Sequence, residues 1–280
     1  MSQNEATRRR ARAGAGPGRA AASASASASG PASGPASGPA SASGPASAAS
    51  ASASGPASAA SATTAGMTAA ARTELRVYLP IASLQRQFAA YLATPTRARG
   101  YPPTEGDNAL IVEVAPGLAI ERVTDLALRA EPGVEPGILF VERQFGVLEI
   151  HSGDPAEVRR AGQAILAGIG RTPGDQLRPR LLYSDVIEDV TDQQAVIINR
   201  SRQASMILPG QSLLVCEMAP ALFAAVAANE AERAAPENTL VDVAMIGASG
   251  RLYIAGTSAG VGRARSAIES LLAGIEGRDQ

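Results

Sequence analysis

The chain has 280 residues, among them 25 arginines, no lysine, one histidine, one cysteine and no tryptophan, with a formal net charge of −1. A lone cysteine excludes an internal disulfide, and His151 and Cys216 together cannot supply the usual His and Cys zinc sets, so neither metal chemistry nor a cofactor is expected. Charge is uneven: residues 1–72 carry six Arg and one Glu, and the other 19 Arg face 25 acids. That mildly acidic remainder argues against nucleic acid as a partner, since phosphate backbones bind basic surfaces.

The first 72 residues are expected to form a disordered tail. From Ala20 to Ala65 they are almost wholly Ala, Ser, Gly and Pro, with Ser-Gly-Pro-Ala-Ser recurring. Nothing there is large and apolar enough to offset the cost of ordering the backbone. Arg8-Arg9-Arg10 and Arg12 look like the start of a signal peptide, but no apolar stretch follows, so secretion is not expected. No apolar run reaches the length of about 18 residues that a transmembrane helix needs, so no membrane partner is expected either. The arginines read as a solvated cluster or as a dock for an acidic surface.

The next elements are an apolar strand over Leu75 to Ile81, a short helix from Leu84 to Leu92, and a Pro-rich loop through Tyr101-Pro102-Pro103 to Gly106-Asp107. Ala109 to Val114 is a second strand. Leu118, Ala119, Val123, Leu126, Ala127 and Ala130 then share one helical face, which Pro132-Gly133 stops. Ile138 to Glu142 and Val147 to Ile150 read as a paired-strand unit joined at Arg143-Gln144-Phe145-Gly146. Asp154-Pro155-Ala156-Glu157 supplies an N-cap, a first-turn proline and an acid, and Val158, Ala161, Ile165 and Ile169 form the stripe of the helix that follows.

The same script then repeats at an offset of 104. Glu113, Ala115-Pro116 and Leu118 return as Glu217, Ala219-Pro220 and Leu222, Arg129-Ala130 as Arg233-Ala234, and Gly146, Leu148 and Ile150 as Gly250, Leu252 and Ile254. The second set runs from Arg180 to Ile187, through a helical or turn segment Gln193 to Asn199, strand Leu213 to Met218, helix Ala221 to Ala234, strands Leu240 to Ile246 and Leu252 to Ala255, and helix Val261 to Ile275. Cys216 in Leu213-Leu214-Val215-Cys216 reads as a buried thiol. A period this long is too large for a solenoid unit and fits a small domain. The chain therefore divides into the tail, a first domain at 73–176 and a second at 177–280. Each is an α/β, or α+β, arrangement of sheet and helix layers, close to the minimum size for an independent core.

Catalytic signatures are missing. Without lysine there is no phosphate-loop lysine, and no Gly-x-Ser-x-Gly elbow occurs. Gly247-Ala248-Ser249-Gly250 lies between strands instead of opening a helix, so it reads as a tight turn and not as a phosphate cradle. His151 has Ala255 as its counterpart and reads as a surface or edge histidine. Asp107, Asp125, Glu113 and Glu217 show no spacing that pairs them into a dyad. The chain is not expected to be an enzyme.

Arg122-Val123-Thr124-Asp125, Val141-Glu142-Arg143-Gln144-Phe145-Gly146, Val196-Ile197-Ile198-Asn199-Arg200 and Ala228-Asn229-Glu230-Ala231-Glu232 carry a resemblance to the bacterial microcompartment shell domain. It occurs twice, each time with the opening strand and helix ahead of the core pattern. This order is similar to the circularly permuted tandem-domain trimeric shell proteins of α-carboxysomes. The resemblance implies a non-catalytic tile in a carboxysome shell, serving carbon dioxide fixation in the cytoplasm. Three chains would form a pseudohexameric homotrimer beside other hexameric shell proteins, and two trimers could stack face to face as an airlock.

The resemblance also implies that the paired-strand turns line a central pore that passes anionic metabolites of sugar-phosphate size. Glu142 and Arg143 would be its gate, with Gln144, Phe145, Gly247, Ala248, Ser249 and Gly250 as further lining candidates. Threefold symmetry would bring three Glu142 and three Arg143 together. Such pairs in a wet channel are worth only about 0–1 kcal/mol each, so open and closed arrangements exchange readily. Phe145 reads as pore lining or as a packing anchor. Two rivals remain: a tandem small-molecule sensor binding a ligand between its copies, and a metabolic enzyme using Glu142, Arg143 and His151.

Overall fold

The computed structural model describes residues 73–94 and 100–279; the expected tail lies outside them. The first copy comprises β1 (Glu74–Ile81), α1 (Arg86–Leu92), β2 (Asn108–Ala115), α2 (Ala119–Ala130), β3 (Glu135–Val141), β4 (Gly146–Ser152) and α3 (Pro155–Ile169). A 3-10 turn at Pro173–Asp175 leads into β5 (Arg180–Ile187), α4 (Asp192–Ser201), β6 (Ser212–Ala219), α5 (Phe223–Ala234), β7 (Thr239–Ala244), β8 (Gly250–Gly256) and α6 (Ser258–Gly274). Each copy holds a four-stranded antiparallel sheet, ordered β1-β2-β4-β3 and β5-β6-β8-β7.

The layering follows from residue pattern. β2 is apolar at nearly every position and is buried along its length, as a strand covered on both faces must be. On one face Leu110, Val112, Leu148 and Ile150 meet Ile120, Val123 and Ala127 of α2 and Val158, Ala161 and Ile165 of α3. On the other, Val77, Leu79, Ile111 and Val147 meet Leu84, Phe88 and Ala89 around α1. α3 starts as expected: Asp154 accepts from the Ala156 N–H at 2.8 Å and Pro155 sits in the first turn. Glu157 does not close the capping box but accepts from the Ser152 hydroxyl at 2.6 Å. Gly170, in the left-handed conformation with φ 64°, ends the helix.

Two features differ from the sequence reading. The 104-residue offset holds from β2 onward, but β1 and α1 map onto β5 and α4 at 106. Ser83 and Asp189, among the described residues the two non-glycine positions with positive φ (56° and 51°), mark equivalent corners. Leu84 and Val190 each donate to and accept from the loop just before the following strand, at Gly106-Asp107 and Gly210-Gln211. The second copy's intervening loop is two residues shorter, which absorbs the shift. Secondly, the cores are not independent. The apolar cluster on the α1 side of the first sheet continues through Leu222, Ala225, Ala228, Leu240 and Val243 into the second copy.

The chain's C-terminal segment reinforces the junction. Arg178 donates its N–H to the Arg278 carbonyl and Arg278 donates back to the Gln176 carbonyl, both at 2.8 Å. The buried Gln176 side chain accepts from the Tyr78 N–H at 2.9 Å and donates to the Glu276 carbonyl at 3.2 Å.

Candidate functional site

The residues expected to line a pore sit on two equivalent turns. β3 and β4 are joined by Glu142 to Phe145, closed by a 2.7 Å hydrogen bond from the Glu142 N–H to the Phe145 carbonyl. Glu142 is half-buried, while Arg143 and Gln144 are exposed. Among the described residues neither Glu142 nor Arg143 has an ion-pair partner. β7 and β8 are joined by Met245 to Ser249, with Gly247 at φ 130°, a conformation that favours glycine. Ala248 is exposed and Ser249 half-buried. A cavity of about 610 Å³ is lined from both turns, by Glu142 of the first and Met245 and Ile246 of the second, together with Tyr91, Phe140 and Gln203.

Glycines bring both turns close to the helices behind them. A Cβ on Gly146 would come within 2.2 Å of the Gly117 carbonyl, and one on Gly250 within 2.2 Å of the Ala221 carbonyl. The supports under the turns differ. In the first copy the Arg76 guanidinium lies 3.7 Å from the centre of the Phe145 ring, and its Nε donates to the buried Glu113 at 2.8 Å. Burial pushes the Glu113 carboxyl up, opposed by the hydrogen bond and charge of Arg76. Phe145 is thus a half-buried anchor stacked under a cation. In the second copy Ser249 stands at the Phe145 position and donates to Glu217, the counterpart of Glu113, at 2.5 Å.

His151 corrects the sequence reading. It is buried at 3% exposure on β4, an inner strand, and its Nδ1 faces the fully buried Glu149 at 3.2 Å. Its Nε2 lies 3.7 Å from Glu135 without a hydrogen bond. Burial pushes Glu149 up despite His151 and the Gly137 N–H. On His151, burial acts to lower the value but is outweighed by the Glu149 hydrogen bond and the charges of Glu149, Asp107 and Glu135, leaving it raised. Sequence reasoning missed Glu149, although its counterpart Tyr253 marks the position as one where the copies diverge. Of the other acids considered, Asp125 pairs with Arg122 and Arg129 at 2.7 and 2.6 Å on the surface, and Asp107 accepts from the Thr104 N–H and hydroxyl. The structure brings none of Asp107, Asp125, Glu149 and His151 to the β3–β4 or β7–β8 turn.

The joint between the copies was also missed. α5 packs on α1 and β1 of the first copy. Leu222, at its start, is fully buried there, whereas the equivalent Leu118 is 73% exposed. On the opposite side of the joint, Val77 is fully buried and its counterpart Tyr183 is 54% exposed; Tyr91 is buried and its counterpart Ile197 is 67% exposed. One joint is therefore made inside the chain, and both halves of a second are open at its two ends.

Comparison with known proteins places this architecture. The family profile of the CsoS1D N-terminal domain matches residues 75–175. The carboxysome shell protein CcmP of Synechococcus elongatus is 41% identical over 206 residues, covering 74% of this chain and 95% of that protein. CsoS1D of Hydrogenovibrio crunogenus, also a carboxysome shell protein, is 42% identical over 200 residues, covering 71% and 96%. Among solved structures, a double-ringed trimeric shell protein from the RMM microcompartment matches with TM-score 0.72 and 69% identity, over 75% of this chain and all of that one. A fused permuted hexameric shell protein from the same microcompartment matches with TM-score 0.69 and 46% identity, over 74% of this chain and all of that one.

Proposed function

This chain belongs to the family of tandem-domain carboxysome shell proteins, and we propose that it is a structural, non-catalytic tile: a homotrimer whose central pore is gated by Glu142 and Arg143. Residues 73–176 supply one wedge and 177–280 the next, so three chains fill six positions. The observation that carries this reading is the open joint. The buried Leu222 face inside the chain has its copy uncovered at Leu118, and the buried Val77 and Tyr91 face has its copy uncovered at Tyr183 and Ile197. Two unlike complementary surfaces at opposite ends of one chain make a head-to-tail contact, which closes into a ring when the rotation allows. The trimeric state of the 69% identical neighbour supports closure at three.

In such a ring every β3–β4 turn points to the shared axis. Arg143, exposed and without a partner among the described residues, and Glu142, half-buried beside the inter-copy cavity, are free to rotate between a mutually paired plug and a withdrawn state. The small Gly247-Ala248 turn leaves the remaining three positions uncrowded. Arginines around the axis favour anionic cargo of sugar-phosphate size. Replacing Glu142 and Arg143 with alanine and imaging the tile by cryo-electron microscopy tests the gate: an aperture that widens in the variant supports it, and an unchanged closed outline removes it. A native mass that is not a multiple of three chains removes the ring.

A second reading concerns the compartment. Carboxysome relatives stand at 41–42% identity and the RMM trimer at 69%, which favours a shell of the RMM type over a carboxysome. Isolated shells carrying this tile settle the choice: carbon dioxide fixation by their cargo supports the carboxysome, and its absence supports the RMM type.

A further inference from the structure

The joint inside the chain is keyed by polar groups that the open joint lacks. α1 has no side-chain cap of its own, and its first N–H groups are satisfied across the joint. Asn229 accepts from the Gln85 N–H at 2.8 Å, and Glu232 accepts from the N–H groups of Gln87 at 2.8 Å and Phe88 at 3.0 Å. The Gln87 side chain donates to the Asn238 carbonyl at 2.8 Å and accepts from the Leu240 N–H at 2.9 Å. The Tyr91 hydroxyl donates to the Val243 carbonyl at 2.5 Å.

The corresponding surface of the first copy offers different chemistry. Leu128 stands where Glu232 does and has no acceptor; Pro136 stands where Leu240 does and has no N–H; Asp125, in place of Asn229, is already held by Arg122 and Arg129. The helix that would seat there differs to match. α4 caps itself, Thr191 accepting from the Gln194 N–H at 3.3 Å, and presents the exposed Val196 and Ile197. Seating α1 on the first copy would bury the Gln87 and Phe88 N–H groups against Leu128 with no acceptor. Seating α4 on the second copy would set Asp192 in the place of the exposed Arg86, in the same helix start that Glu232 caps, although Gln193 would stand where Gln87 does. The first exchange leaves buried donors uncompensated, and the second gathers two acids at one helix start.

We infer that Glu232 is the residue that selects which helix occupies which joint: α1 is held to the second copy of its own chain, and the apolar face around Leu118 and Leu128 takes α4 of a second copy of this chain. The selection makes keyed and apolar joints alternate and blocks like-to-like joining. It rests on the ring reading for the partner of α4, but not for the seat of α1.

Full-length Glu232→Leu, Glu232→Gln and Leu128→Glu are compared with the parent by native mass spectrometry and by hydrogen exchange of residues 85–89. Glu232→Leu is expected to speed exchange in that segment about tenfold or more, as unsatisfied buried donors require, and to replace a single oligomer mass by a mixture. Glu232→Gln, which keeps an acceptor, is expected to preserve both. Leu128→Glu is expected to leave exchange at 85–89 unchanged while weakening association between chains about tenfold or more. Exchange and mass in Glu232→Leu indistinguishable from the parent, or unweakened association in Leu128→Glu, overturns the inference. If Glu232→Leu does not fold, Glu232→Gln and Leu128→Glu decide it. A parent mass that is not a multiple of three overturns the ring alone, because exchange at 85–89 reads α1 without it.

Discussion

The two copies share one sheet order and one pair of turns, yet the first holds its turn from beneath with charge and the second with a hydroxyl. Arg76 links Phe145 to Glu113 in the first copy, while Ser249 reaches Glu217 directly in the second. On β4 the first copy buries Glu149 and His151 where the second has Tyr253 and Ala255 on β8. Duplication kept the backbone because apolar spacing and the close glycines fix it. The side chains on it were free to diverge wherever the two positions in an assembly face different neighbours.

The largest effect expected on that contrast comes from the buried pair. His151→Ala leaves the fully buried Glu149 carboxyl without its imidazole partner and should cost about 3–5 kcal/mol in denaturant unfolding, against less than about 1 kcal/mol for Ala255→Ser in the second copy. A smaller loss than that at His151 would mean that Glu149 is protonated or hydrated in its absence. The pair also gives a pH signature. Glu149 and His151 both hold protons more tightly folded than unfolded, so their contribution is fully present at acid pH; that of Glu149 is lost as pH rises from 4.5 through its raised value, and that of His151 as pH rises from 6.5 through its own. Melting temperature should fall as pH rises past the ordinary values of the two groups, and Glu149→Gln should flatten that slope; an unaltered slope in the variant would place its origin elsewhere.

Phe88→Ala empties the shared core beneath α1 and is expected to cost about 3–5 kcal/mol, whereas Gln194→Ala at the matching site of α4 should fall within about 0.5 kcal/mol of the parent. Similar losses at the two sites would contradict the asymmetry of the joints. Arg76→Ala removes the ring contact and leaves buried Glu113 without its partner, with an expected loss of about 1–3 kcal/mol and faster hydrogen exchange at Glu142; Leu182→Ala, its counterpart, should lack the second effect. Gly247→Ala forces a Cβ into φ 130° with open space around it, so only backbone strain of about 1–3 kcal/mol is expected, with no loss of assembly in sedimentation.

Much of the element order was legible because burial leaves a period in the sequence: alternating strands, helical stripes, and the Asp154-Pro155 start of α3. The β3–β4 and β7–β8 turns were legible as turns because Gly146 and Gly250 recur at the same step. The burial of His151 was not, since a histidine near the end of an apolar strand looks the same whether the side chain two residues before it, here Glu149, is exposed or buried. The 106-residue offset of β1 and α1 was hidden by a loop that differs in length, where no packing constraint holds the count.

By itself the sequence determined that two related sheet-and-helix units follow a stretch of Ala, Ser, Gly and Pro, and that one cysteine makes an internal disulfide impossible, because composition and periodicity are properties of the chain alone. Only the tertiary structure decided that α1 belongs as much to the second copy as to the first, and that Leu118 and Leu222 meet opposite surroundings. Burial depends on what a residue faces, and identical residues in identical folds face different things once one copy has a covalent neighbour and the other has an open edge.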